Sequence, residues 1–208
     1  MLSISGPTPA RRPLRGLVIT LAVGLLVGGL YVLSLVTAPA IIAPVLLQPP
    51  IAVTDLPNPS ITEDRIVIPK LGVNITYAPG EAALNRGAQW RYPDRGNPAT
   101  GGNFIIAAHR FSIQPTPQGT IEKSPFYRID QLAMDDKIIV DYQGTRYAYK
   151  INKIFDATPN QTEIEAASDT DKLTLYSCEL GGSEAGRIVV LAEPIGKVAV
   201  DAPEMVTN

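Results

Sequence analysis

Residues 16–54 form an uncharged run that dominates the hydrophobic pattern near the N-terminus. Within it, residues 17–36 are apolar or small, and a helix of about 20 residues at about 1.5 Å per residue matches the roughly 30 Å hydrocarbon core of a bilayer. A helix buried in a globular core is seldom uncharged for so long, and a cleaved signal peptide has an apolar core of only about 7–15 residues. The pattern therefore predicts one uncleaved transmembrane helix.

The charges that flank this helix predict its orientation. Arg11, Arg12 and Arg15 precede the apolar run, and the first charge after it is Asp55. Because positive residues stay on the cytoplasmic side, we expect a single-pass protein of the cell membrane. Its N-terminus would be cytoplasmic and its C-terminal part extracellular.

Prolines change the pattern after the helix. Six of them lie within residues 39–59. This density argues against a helix or a paired strand and predicts an extended, semi-rigid spacer of about 3.1 Å per residue that holds the folded part away from the membrane. The chain then divides into a cytoplasmic tail (1–16), a transmembrane anchor (17–43), a proline-rich linker (44–60) and an extracellular domain (61–208).

From residue 61 onward, short apolar runs alternate with turn residues, as is typical of β-strands. Residues 103–109 are almost continuously apolar, which predicts a strand buried on both faces. Gln143-Gly144 separates two runs as the turn of a hairpin does. The predicted strands are residues 65–70, 73–77, 103–109, 137–142, 145–155, 172–178 and 187–192.

The helical signal in this domain is thin. Residues 80–87, 125–132 and 161–168 are each long enough for two turns at most. Many short strands with Gly and Pro between them predict an all-β fold, either a barrel or a sandwich.

Composition excludes several classes of function. Residues 51–208 carry 15 basic groups and all 20 acidic groups, a net charge of −5, whereas a nucleic-acid binder needs the opposite sign. Cys178 is the only cysteine and His109 is the only histidine in the sequence. The chain therefore has no intrachain disulfide and no multi-histidine metal site.

Three residues at predicted strand ends are candidates for chemistry. Cys178 and His109 each end a strand, and Arg187 begins the strand after Cys178. If strands 172–178 and 187–192 pair through their glycine-rich connection, Cys178 and Arg187 lie close together. A thiolate nucleophile, an imidazole that transfers a proton and a guanidinium that offsets an oxyanion suffice for acyl transfer. Taken singly, each residue has an equally ordinary structural role, as a lone buried cysteine does.

The segments around these residues resemble the sortase family of cysteine transpeptidases, and in particular its class D and E members. The segment 174–178 (TLYSC) is similar to the family's Thr-Leu-x-Thr-Cys strand, and 107–109 (AAH) is similar to its Ala-Gly-His segment. Residues 68–73 (IPKLGV), 83–87 (ALNRG) and 124–140 (SPFYRIDQLAMDDKIIV) resemble the first strand, the Ala-Leu-x-x-Gly helix and the Pro-Phe…Leu…Gly-Asp-x-Ile segment. These motifs occur in the family's order, behind an N-terminal anchor.

The resemblance implies a closed β-barrel of about eight strands with a few short helices, behind one transmembrane helix. It also implies that Cys178 is the nucleophile, His109 the general acid/base and Arg187 a clamp for the oxyanion or the substrate. The residues implied to contact substrate are Ser177, Thr174 and Ala108. Ser177 stands where the family has Thr, and Ala108 where it has Gly, so substrate preference is expected to differ while the catalytic groups are kept.

A sorting reaction is the activity that the resemblance implies. An exported protein with a C-terminal Leu-Pro-x-Thr-Gly-like signal would be cut after the Thr, leaving a thioester on Cys178. An amine from a peptidoglycan precursor or a pilin would then accept the acyl group, with hydrolysis as a side reaction. This chemistry requires no cofactor and no metal.

Two segments distinguish this chain from some relatives. Some sortases bind calcium through loop acids, but the acidic residues here are predicted to form a solvated loop: Glu163, Glu165, Asp169 and Asp171. Pilin-polymerising members carry an Asp-Pro-aromatic lid motif, which residues 55–57 (DLP) do not match. We therefore expect an open site.

Other cysteine enzymes fit the sequence less well. The L,D-transpeptidases keep their His close before Cys, whereas 69 positions separate the two residues here, and papain-like enzymes place Cys first. A non-enzymatic alternative is a catalytically inactive, membrane-tethered β-domain that binds exported proteins. The sequence leaves open the sorting motif, the acceptor amine, and the choice between general wall anchoring and pilus assembly.

Overall fold

The computed structural model describes residues 12–47 and 49–199. Helix α1 spans Arg12–Thr37 and continues as a π-helical segment, Ala38–Leu47. The stretch Leu14–Pro44 is long and apolar enough to cross a membrane. One N-terminal apolar helix of this kind fits a single-pass membrane anchor.

Strands are the main regular structure in the remaining described chain, which confirms the all-β fold. A short helix α2 (Pro117–Glu122) and several 3-10 turns connect them. The strands are β1 (Arg65–Ile68), β2 (Val73–Pro79), β3 (Ala88–Arg91), β4 (Gly96–Asn97), β5 (Gly101–Ala107), β6 (Lys137–Tyr142), β7 (Thr145–Ala157), β8 (Lys172–Glu179) and β9 (Gly182–Lys197).

Eight of these strands close into a barrel. Their order is β3-β2-β1-β6-β7-β9-β8-β5, and a pairing between β3 and β5 joins the two edges, while β4 pairs only with β5. The pairs β2–β3 and β5–β8 are parallel, and the other neighbours are antiparallel. The closed barrel of about eight strands is therefore confirmed, and closure leaves none of these eight with a free edge.

The barrel interior holds the main hydrophobic cluster. The ring of Phe104 packs edge-to-face against Tyr77 and Trp90, with centroids 5.4 and 5.7 Å apart. A second, smaller cluster lies on the outer face of β5, β8 and β9, where it includes Ile105 and Tyr176. This outer cluster explains why the 103–109 segment is apolar on both faces.

Several predicted elements are confirmed and others were missed. The hairpin turn has the positive φ angles of a tight turn at Gln143 (47°) and Gly144 (78°). The three helix-length segments contain only short 3-10 turns. Strand β3 and helix α2 were not predicted. Strand β3 is a short segment whose strand character comes from pairing with its two neighbouring strands.

The prediction of an extended spacer after the helix is wrong. The segment Ala38–Leu47 is helical despite Pro44, and the N–H of Ile51 donates to the carbonyl of Pro69 at 2.9 Å. Farther along, Ile51 packs with other linker residues on an outer-face cluster centred on Ile139. Burial of these apolar linker side chains on the barrel stabilises the packed path over an extended one.

Candidate active site

Strand register brings the three candidate catalytic residues together. Cys178 on β8 pairs directly with Arg187 on β9, which confirms the expected pairing of these strands. Ala107 pairs with Tyr176 in the parallel β5–β8 ladder, so His109 and Cys178 each lie two residues beyond a paired position. Since neighbouring strands are about 4.8 Å apart, the three residues occupy adjacent positions at one end of the barrel.

Two of these residues, Cys178 and Arg187, share the outer face of the sheet. Along β8, Leu175 belongs to the interior cluster and Tyr176 to the outer cluster, so Cys178 is in step with the outer face. Arg187 is its direct partner, and directly opposed residues in an antiparallel pair share a face. His109 lies two residues beyond Ala107 of the outer cluster, in the segment that follows β5.

Side-chain exposure at this end is intermediate. Cys178, His109 and Arg187 are all half-buried, so each is accessible from solvent. Nη1 of Arg187 donates to the carbonyl of Pro159 at 3.2 Å, and its guanidinium lies 6.0 Å from the Tyr176 ring centroid. These contacts hold the guanidinium against the protein surface rather than free in solvent.

The predicted substrate-contact residues are buried. The Ser177 hydroxyl donates to the carbonyl of Ala108 at 2.7 Å, and both residues are at most 5% exposed. The Thr174 hydroxyl donates to Oδ1 of Asn103 at 2.6 Å and is fully buried. The structure therefore places all three inside the fold, where they join β8 to β5 next to the catalytic candidates.

The loop between β7 and β8 contacts Arg187 through the carbonyl of Pro159, and Asn103 anchors its later part. The buried amide of Asn103 donates to the carbonyls of Ile164 (3.1 Å) and Ala166 (2.7 Å). Sequence reasoning missed this role, although an Asn within a nearly continuous apolar run signals a buried polar group that requires partners.

Glu165 is a second anchor of the loop. It accepts from Nε of Arg91 at 2.9 Å and from the Tyr176 hydroxyl. Burial, together with the bond to Glu165, raises the pKa of Tyr176 well above its usual value, so the phenol remains a donor. The expectation that the acidic residues form only a solvated loop is thus wrong for Glu165, because Arg91 and Tyr176 draw its carboxylate against the barrel.

An unpredicted ion pair links the two strand ends that carry the Cys and the His. Arg110 follows His109, and Glu179 follows Cys178; Nη1 of Arg110 lies 2.7 Å from Oε2 of Glu179. Asp130 approaches Nη2 of the same arginine at 3.4 Å. The Arg110 side chain is only 6% exposed, which is rare for an arginine without a structural role.

Comparison with known proteins gives a consistent result. The family model of the sortase domain matches residues 66–195, more than half of the chain. The comparison of this chain with curated proteins found no match.

Among solved structures, a sortase D5 transpeptidase of Clostridium perfringens is similar, with 28% identity and a TM-score of 0.52 over 64% of this chain and 79% of that one. Sortase C1 of pilus island 1 from GBS (22% identity, TM-score 0.55, 65% and 66% of the two chains) and sortase A of Listeria monocytogenes (20%, 0.54, 65% and 90%) share the fold. The family-model match, together with the closed barrel, shows that this chain belongs to the sortase family of transpeptidases.

Proposed function

We propose that the protein is a membrane-anchored cysteine transpeptidase with Cys178 as nucleophile, His109 as general acid/base and Arg187 as the group that stabilises the oxyanion. The observation that supports this proposal is the register of β5, β8 and β9, which pairs Cys178 with Arg187 and ends the β5–β8 ladder two residues before His109 and Cys178. Cys178 and Arg187 are supplied by β8 and β9, and His109 by the segment that follows β5, as in a site built on a rigid scaffold.

The reaction follows from the chemistry of these groups. The Cys178 thiolate attacks the carbonyl carbon of the scissile peptide bond, and the Arg187 guanidinium offsets the charge on the carbonyl oxygen. Protonated His109 gives its proton to the departing amine, which leaves a thioester on the sulfur. An acceptor amine then attacks the thioester and returns a proton to His109 as the thiolate departs.

The substrate class is a peptide with apolar residues before the scissile bond. We infer that an exported protein with a Leu-Pro-x-Thr-Gly-like signal lies beside the outer cluster, where Cys178 and Arg187 are half-buried and accessible. The anchored loop around Glu165 would bound this groove on one side. The acceptor is an amine of a peptidoglycan precursor or a pilin, and no cofactor or metal takes part.

The buried residues Ser177, Thr174 and Ala108 have a supporting role in this proposal. Their hydrogen bonds join β8 to β5, so they fix the distance between the strand that carries the nucleophile and the strand that leads to His109. Substrate preference would then depend on the loops rather than on these three side chains.

Orientation in the membrane is the last part of the proposal. Arg11, Arg12 and Arg15 favour a cytoplasmic N-terminus, with residues 17–43 in or next to the bilayer and the barrel outside the cell. In the proposed division, residues 1–16 form the cytoplasmic tail, 44–60 the linker and 61–208 the catalytic domain. Sorting signals held at the outer face of the membrane would then reach the site.

The test is a hydroxylamine capture assay with full-length protein in nanodiscs. A pool of Leu-Pro-x-Thr-Gly-like peptides is incubated with hydroxylamine, and mass spectrometry detects the hydroxamate that forms from any acyl-enzyme. We expect a product with the natural protein and none with Cys178→Ala or His109→Gln, while Ser112→Ala serves as a folded control. Equal product from Cys178→Ala would refute cysteine catalysis, and peptide binding without product from any variant would favour the inactive binding domain.

A further inference from the structure

We propose that the segment 111–121, which follows His109 and includes most of α2, docks into the outer surface of the lipid bilayer beside α1. The proposal rests on the membrane anchoring proposed above. It would place the catalytic end of the barrel at the membrane surface instead of at the end of a spacer.

Direct contacts join this segment to the membrane helix. The Tyr31 hydroxyl of α1 donates to the carbonyl of Pro115. Ile121 of α2 packs against Ala38 and Ala43, which are 0% and 1% exposed. Segment 111–121 therefore contacts the apolar helix at Tyr31 and its π-helical continuation at Ala38 and Ala43.

The depth of Tyr31 in a bilayer follows from the charge at the start of the helix. Arg15 and Tyr31 are 16 residues apart, which corresponds to about 24 Å along an α-helix. If Arg15 lies at the inner edge of a hydrocarbon core about 30 Å thick, Tyr31 lies about 6 Å below the outer edge. A tilted helix places Tyr31 deeper. If the helix moved outward, Arg15 would enter the hydrocarbon core at a cost of several kcal/mol.

Because Pro115 is hydrogen-bonded to Tyr31, its loop must reach the same interfacial depth. Tyrosine is itself enriched at this level of membrane proteins. The bilayer, rather than water or a protein partner, is therefore the medium that covers the loop.

The chemistry of the segment suits this medium. Residues 111–121 contain no charged side chain, and Ile113 is 55% exposed in the structure. The N–H groups of Gln114 and Gly119 are bonded to hydroxyls within the segment, and prolines at 115 and 117 have no N–H to satisfy. A loop that enters the interface requires backbone groups satisfied in this way.

The path of the linker supports the same orientation. Ile51 is bonded to Pro69, which follows β1 at the barrel end that carries the catalytic candidates. Ser60 accepts from Gly144 in the β6–β7 hairpin at the opposite end. The chain thus leaves the helix at the catalytic end and runs along the barrel away from it.

The consequence concerns the reach of the active site. His109 is four residues from Ile113, so their Cα atoms are at most about 14 Å apart. His109 would then act close to the lipid headgroups, where a substrate still anchored by its own membrane segment presents its signal.

Single-cysteine labelling tests the proposal. Cys178→Ala removes the only cysteine, and into this background we introduce Ile113→Cys, Val23→Cys or Ile61→Cys, each labelled with NBD. Ile61 is a matched control because it is an even more exposed isoleucine (81%) next to the hairpin at the far end. The full-length protein is placed in nanodiscs of phosphatidylcholine and phosphatidylglycerol, with or without doxyl-labelled lipid.

We expect doxyl lipid to quench the label at positions 113 and 23 but not at 61. Quenching at 23 with none at 113 would overturn the docking and leave the anchor intact, whereas no quenching at 23 would refute the anchor and the docking together. As a functional readout, Ile113→Asp should lower turnover of a lipid-anchored peptide about tenfold, the effect of losing one half-buried apolar side chain. Its turnover of the same peptide without the lipid should be unchanged, and an equal loss on both substrates would also overturn the docking.

Discussion

Replacement of Arg110 by methionine removes the cation that connects the two catalytic strand ends. Its guanidinium lies 2.7 Å from Glu179 and 3.4 Å from Asp130. Because its neighbour in the chain is His109 and that of Glu179 is Cys178, the ion pair adds a direct link at these two residues to the buried hydrogen bonds that join β8 to β5. We expect Arg110→Met to weaken both the fold and the reaction.

The size of the effect is estimated from the geometry of the pair. At 2.7 Å and an effective dielectric constant of about 20, the Coulomb attraction is about 6 kcal/mol. Desolvation of the buried arginine cancels most of this attraction. Solvent also weakens the attraction, because 30% of the Glu179 side chain is exposed. Since a hydrogen bond to a charged group contributes about 1.5–3 kcal/mol net, we expect the free energy of unfolding to fall by about 2 kcal/mol.

The catalytic loss should exceed the loss of stability. A displacement of about 1 Å in a catalytic group costs about 100-fold in rate, so kcat should fall by that order while KM changes little. Arg110→Lys should keep only part of the activity, because an ammonium keeps the positive charge but cannot contact Glu179 and Asp130 from two separate nitrogens as the guanidinium does.

Urea unfolding and steady-state kinetics measure the two effects on full-length protein. Fluorescence of Trp90, the only tryptophan, reports unfolding, and the hydroxamate assay gives kcat and KM. Lys70→Met is the matched control, since it breaks an exposed pair with Asp136 of nearly the same length, 2.8 Å. Such a surface pair contributes at most about 1 kcal/mol.

A double-mutant cycle completes the test. Combined with Glu179→Gln, Arg110→Met should show a coupling energy of about 1–2 kcal/mol. The reasoning fails if Arg110→Met matches Lys70→Met in stability and in kcat, or if the coupling is zero.

Three further predictions concern the anchor of the loop between β7 and β8, the backbone at two glycines and the pH dependence of stability. Asn103→Ala should raise KM and lower the thermal midpoint, measured by kinetics and calorimetry, because it leaves two loop carbonyls unpaired; an unchanged KM would contradict the anchoring role. Gly102→Ala should destabilise the fold by several kcal/mol in urea unfolding, since its new Cβ would lie 2.5 Å from the backbone oxygen of Arg95, whereas Gly80→Ala, at a similar φ of +86° with open space around it, should cost only about 1 kcal/mol. Burial, and to a smaller extent a nearby carboxylate, raises the pKa of Asp64, so ionisation of Asp64 destabilises the folded state. This loss of stability is absent below the pKa that Asp64 has in the unfolded chain, and it appears as the pH rises through the pKa that Asp64 has in the folded protein. Asp64→Asn should therefore raise the thermal midpoint at pH 7 but not at pH 3, and an equal shift at both values would refute this assignment.

Local patterns in the sequence were sufficient for the strands and for the candidate residues. The alternation of residues 137–142 and 145–155, with Gln143-Gly144 between them, predicts a hairpin because side-chain period and turn chemistry are local properties. The end of β8 near Cys178 was located in the same way, whereas β5 ends at Ala107, two residues before the predicted end at His109, and β9 begins at Gly182, five residues before the predicted start at Arg187. Strand β3 was missed because its pairing with β2 and β5 is entirely non-local.

Buried polar partners were not predictable from the sequence. Arg110 and Glu179 are 69 positions apart, and Asn103 reaches carbonyls more than 60 residues away. Each partnership depends on strands that meet only when the barrel closes. The misassigned linker has the same origin, because its prolines favour extension locally while its apolar side chains gain more by packing on the barrel.

The sequence by itself determined that the chain has one apolar helix, an all-β domain and a single set of residues suited to acyl transfer, because hydropathy, periodicity and residue chemistry are properties of the chain itself. Only the tertiary structure decided which face these residues share, what holds them in place and how the linker and the segment after His109 lie beside the helix. Those features depend on contacts between distant parts of the chain, and their free energies arise only when the folded structure brings the partners together.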